Sequence, residues 1–192
     1  MKSVLLAAAT LLLLTTHLYC QRDYFTPEEI DVVRDAQQID TRIAALTHVV
    51  DRRFATLKVD VKAPPFKESP DWGTAPSGSR LELFIDIKRV LEKAVDDIDN
   101  LSERPTSMVI IDTGEKKKKK PEGFAELFPK AVRDLAAAAQ RYQPALKAQL
   151  DVTQDPAEKG AILGSLELCD EIIASVAKLT APPPPDPKKG KN

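Results

Sequence analysis

The sequence predicts an all-α fold: a four-helix bundle-like domain with long Pro-rich and Lys-rich loops and a disordered C-terminal tail. Three observations predict it. Four stretches carry apolar residues at alternating spacings of three and four, the period of one helix face. Almost nothing shows the period of two that a half-buried strand needs. Pro, Gly and Lys concentrate between those stretches, where a chain turns or stays solvated. The chain has 192 residues, 43% hydrophobic and 30% charged, which suits one globular domain.

The first twenty residues read as a secretory signal. Lys2 supplies the positive n-region, and Val4 to Leu14 is an apolar h-region broken only by Thr10. Cleavage after Cys20 places Leu18 at −3 and leaves Gln21 as the new N-terminus. An uncleaved leader would be an anchor, because Val4 to Cys20 carries no charge and reaches the short end of a membrane span. Lipidation of Cys20 wants a small residue before it, and Tyr19 is not small. Three segments follow: a signal peptide at 1–20, a single helical domain at 21–180, and a disordered Pro/Lys tail at 181–192.

In the helical domain, Thr26-Pro27-Glu28-Glu29 opens the first helix with a cap, a Pro at the first position and a capping-box acid. Its stripe runs Val32, Ala36, Ile39, Ile43, Leu46, Val50, with Leu57 seven further on. No Gly or Pro interrupts 28–58, so one long helix is expected, weakest at 36–40. A Pro-rich loop at 59–79 follows, with Ser77 or Ser79 able to start the second helix. That helix carries Phe84, Ile87, Leu91, Ala94, Ile98 and Leu101, widened by Leu81, Leu83 and Val90. The loop at 103–120 holds an apolar run, Met108 to Ile111, suited to plugging the end of a bundle, and then Lys116 to Lys120.

The third stretch spans about 121–150, with Phe124, Phe128, Ala131, Leu135, Ala138 and Tyr142 on one face. Pro129 and Pro144 lie inside it. Each lacks an N–H and crowds the carbonyl four residues back, so a short helix before Pro129 and a bend at Pro144 are expected. Asp155-Pro156-Ala157-Glu158 opens the fourth helix, whose stripe is Ile162, Leu166, Cys169, Ile173 and Val176. Gly160 and Gly164 read as sites of close helix approach.

Composition excludes several functions. The net charge of −1 lacks the basic excess of a general nucleic-acid binder. Two Cys cannot build a disulfide scaffold or a zinc ribbon. After the leader, His48 is the sole imidazole and Cys169 the sole thiol. His48 falls two residues from each of Leu46 and Val50, which reads as the polar side of its helix and a surface residue. Cys169 falls on the core stripe. Asp96, Asp97 and Asp99, and the group Glu28, Glu29, Asp31 and Asp35, are the candidate carboxylate clusters; solvated faces and helix-dipole complementarity account for them.

The expected function is therefore binding: an exported, non-enzymatic helical protein, periplasmic or extracellular, acting on an envelope surface or a protein partner. A carboxylate-based metal-binding or hydrolytic bundle is the alternative. No cofactor is expected. Lys116, Lys117, Lys118, Lys119 and Lys120 are the candidate contact with an anionic surface, since adjacent ammonium groups stay solvated. Trp72, in the Pro-rich loop, either clamps that loop to the bundle or is the candidate partner contact.

Overall fold

The computed structural model describes residues 22–66, 69–103 and 123–179. The leader, the Met108–Ile111 run, Lys116 to Lys120 and the tail at 181–192 lie outside the described residues. Five α-helices stand within them: α1 (Pro27–Asp35), α2 (Ile39–Thr56), α3 (Arg80–Glu103), α4 (Phe124–Val152) and α5 (Pro156–Ser175). Among the described residues there is no strand.

The first predicted helix is two. The chain leaves helical geometry at Ala36 (ψ 82°) and Gln38 (ψ 141°), inside the weak point at 36–40. The pair Gln37-Gln38 offers no apolar group to hold a straight helix on the core. Turning back instead lets α1 lie along α2, with Glu29 against Arg52 and Arg53. The capping box of α1 forms as spelled. Thr26 Oγ1 accepts from the Glu29 N–H while Glu29 Oε2 accepts from the Thr26 N–H. Ser79, not Ser77, caps α3: its hydroxyl accepts from the Glu82 N–H, and its own N–H donates to Glu82 at 2.7 Å. Asp155 caps α5 through the Ala157 N–H.

The third stretch departs from expectation. α4 is a single helix that runs through both Pro129 and Pro144. An interior Pro costs a helix ~3 kcal/mol, yet packing offsets it here. Leu127, Ala131 and Val132 are buried around Pro129, and Tyr142, Ala145 and Leu146 around Pro144. Pro144 is itself exposed, and so is Gln140, whose carbonyl loses its donor. Water can satisfy that carbonyl.

Helices α2 to α5 form the square of the bundle. α2 packs on α3 and α4, and α5 packs on α3 and α4, leaving α3 and α4 across a diagonal. Ion pairs give the directions. Asp40 meets Lys130 and Asp51 meets Arg141, so α2 and α4 run parallel. Arg42 meets Asp97 near the opposite end of α3, so α2 and α3 are antiparallel. Arg80 meets Glu158, and Gln143 meets Asp170, which sets α5 parallel to α3 and antiparallel to α4. The core is built mainly from the middles of the predicted stripes turned inward, and Phe54, outside the stripe read for the first helix, joins them. Ile43, Leu46, Phe54, Phe84, Ile87 and Ile162 are wholly buried, each contributing ~1.5–3 kcal/mol by leaving water. Tyr142 stacks on Phe54 at 5.3 Å and donates its hydroxyl to the Thr47 carbonyl. Among the described residues no helix is long and apolar enough to cross a membrane.

Candidate functional site

The most concentrated chemistry lies where α1 packs on α2 and the segment before it meets α3. Glu29 is wholly buried. Its Oε1 accepts from Arg52 Nη1 at 2.6 Å and Arg53 Nη1 at 2.5 Å, and its Oε2 from Arg53 Nη2 at 2.6 Å. The Arg53 grip is therefore bidentate, the geometry in which a guanidinium holds a carboxylate best. Backbone carbonyls finish the arrangement. Arg53 also donates to Val49 and Tyr24, and Arg52 to Thr74 at 2.6 Å.

A second pair adjoins the first. Arg22 Nη2 donates to Asp86 at 2.7 Å and to the Ser77 carbonyl at 2.8 Å, tying the N-terminal segment to α3. Burial pushes the Asp86 carboxyl up to about 6, against the opposing pull of Arg22 and Arg53. Arg22, Thr26, Glu28, Arg53 and Ser77 line a polar cleft of about 280 Å³ between these pairs.

Aromatic residues close the other flank. His48 stacks on Phe66 at 3.5 Å and meets the edge of Trp72 at 4.5 Å. Arg52 lies over the Trp72 ring at 5.8 Å. His48 is thus buried rather than a surface residue. The face opposite the bundle core is polar by pattern, but the 59–79 loop covers it. Trp72 is 5% exposed, with its ring against His48 and Phe66.

The carboxylate clusters do not converge. Glu28, Asp31, Asp35, Asp96 and Asp99 are exposed, and Asp97 is held by Arg42 and Lys93. Among the described residues no group of three His, Cys, Asp or Glu could hold a metal. Cys169 is wholly buried on its stripe, and burial pushes its thiol up to about 12, far from a nucleophilic thiolate. Gly160 has nothing within 4 Å of where a Cβ would stand, so it does not mark a close approach; Gly164 does, against the Lys88 stem.

Sequence reasoning missed Arg22, Arg52, Arg53 and Asp86. A signal for two of them was present. The stripe of α2 skips from Val50 to Leu57, and Arg53 occupies the vacant register. Asp86 likewise fills the register between Leu83 and Val90. A charge in an apolar register, with an opposite charge in another, announces a buried pair. Comparison with family models, curated proteins and solved structures gives no match.

Proposed function

We propose that this protein is an exported helical binding protein, not an enzyme, and that it acts on an anionic envelope surface through Lys116 to Lys120. The observation that supports a binding role is the mutual saturation of the buried charges. Glu29 is taken by Arg52 and Arg53, Asp86 by Arg22, and Glu158 by Thr153 and Arg80. Carboxylates so engaged have their lone pairs taken by the fold's own donors. Recognition then falls to charge outside these pairs, and the Lys run is the densest cluster of one sign in the sequence. Each Lys near an anionic membrane contributes ~1 kcal/mol, so five give strong attachment at low salt. At 1 M salt the Debye length shrinks to ~3 Å and attachment is lost.

Co-sedimentation with phosphatidylserine-containing vesicles over rising salt tests this. Wild type should sediment at low salt and detach at high salt, while the variant with all five Lys replaced by Ser stays in solution. Equal sedimentation of the two proteins at low salt would overturn the proposal. N-terminal sequencing of exported protein tests the leader; it should start within a few residues of Gln21.

A further inference from the structure

The segment 22–26 and α1 form a layer, joined to the bundle along the chain through residues 36–38: the segment meets α3 through Arg22 and Asp86, and α1 packs on α2 and on the turn at Pro70–Trp72. This layer is held differently from what it covers. Only Glu29 and Val33 are buried in α1. Tyr24, Phe25, Val32 and Ala36 are half-buried, and Ile30 is 38% exposed. The strongest attachments are charged: Glu29 to Arg52 and Arg53, and Arg22 to Asp86. The Val33 carbonyl also accepts from Arg42.

Arg52 and Arg53 each have an anchor besides Glu29 that lies outside the layer. The Val49 carbonyl, on α2 itself, orients Arg53, and the Thr74 carbonyl orients Arg52. If the Glu29 carboxylate leaves, two guanidinium groups remain pointed at one spot, each still held by a carbonyl. A buried charge without its counter-ion must reach water. Global unfolding would hydrate both Arg but would expose the whole bundle core. Lifting α1 hydrates them while exposing only Val33, its half-buried neighbours and the side of the Pro70–Trp72 turn on which α1 packs. Lifting is the cheaper route.

We propose that α1 is a displaceable latch: its Glu29 occupies, as an internal ligand, a carboxylate-accepting site made by Arg52 and Arg53, and lifting α1 opens that site to an acidic peptide. The site is separate from the Lys run and does not rest on it.

Amide hydrogen exchange on the full chain, wild type beside Glu29→Gln, tests the latch. Exchange across 27–35 should rise roughly tenfold or more in the variant, while the buried middles of α3 and α4 stay as slow as in wild type. A labelled peptide spanning residues 22–36 should then bind the variant, and the same peptide carrying Glu29→Gln should not. Loss of protection in all five helices together would overturn the proposal. So would an α1 as protected as in wild type, or equal binding of the two peptides. If Glu29→Gln does not fold, exchange of the wild-type chain at rising urea decides. Opening of 27–35 ahead of the other helices supports the latch, and opening only with the global transition overturns it.

Discussion

Asp86 shows how one residue ties burial to pH. A carboxyl whose folded pKa, about 6, lies above its unfolded value binds its proton more tightly in the folded state. Its contribution favours folding in acid, and it is lost as pH rises from about 4 through about 6. Acidification from about pH 7 to about pH 5 should therefore raise stability through this group. Asp86→Asn keeps an acceptor for Arg22 but carries no charge, so the urea midpoint of the variant should lose that slope and exceed wild type near pH 7. An unchanged slope would place the titration elsewhere. Cys169 makes the simpler case. Its stripe position and its burial agree, so a bulky thiol reagent should label the native protein only on unfolding. Cys169→Asp should cost roughly 3 kcal/mol or more in denaturant unfolding, and Cys169→Ala much less.

At the scale of the element, legibility divided along a physical line. Starts were readable because caps are local: Thr26, Ser79 and Asp155 each bond to a backbone N–H two or three residues on. Interruptions were legible at most as a weak point, at 36–40, because whether the chain breaks is settled by distant partners. Nothing between Glu28 and Lys58 spells a sharp turn, yet Glu29 needs Arg52 and Arg53, and the chain folds back to bring them together. Pro129 and Pro144 spell breaks, yet the apolar residues around them hold α4 in one piece. Glycine gives the matching test. Gly160 sits in the first turns of α5 with open space where a Cβ would be. Gly160→Ala should raise stability by about 0.5–1 kcal/mol, seen as a higher melting temperature. At Gly73, with φ near +60° and the Glu28 side chain 2.6 Å from a built Cβ, the same change should destabilise.

For the whole molecule, the bundle class was legible because four periodic stripes need one another, whatever their loops do. The candidate site was not, because it is assembled from a segment before α1, two adjacent Arg on α2, a loop carbonyl and an Asp on α3. That assembly fixes where the folded unit must begin. Arg22 binds Asp86 and Ser77, the Tyr24 carbonyl takes Arg53, and Thr26 caps α1. A chain of residues 21–180 keeps all of these, and its urea unfolding should match that of a chain of residues 21–192. A chain of residues 27–180 loses them and leaves Asp86 without the guanidinium that offsets its burial. Breaking a buried pair by removing one partner costs ~3–5 kcal/mol. Arg22 is partly exposed, which reduces that figure, while the lost cap adds ~1 kcal/mol. The shorter chain should thus be less stable by about 2–4 kcal/mol. Identical urea midpoints for the two chains would mean that the segment before α1 is ornamental, and that the fold proper starts at Pro27.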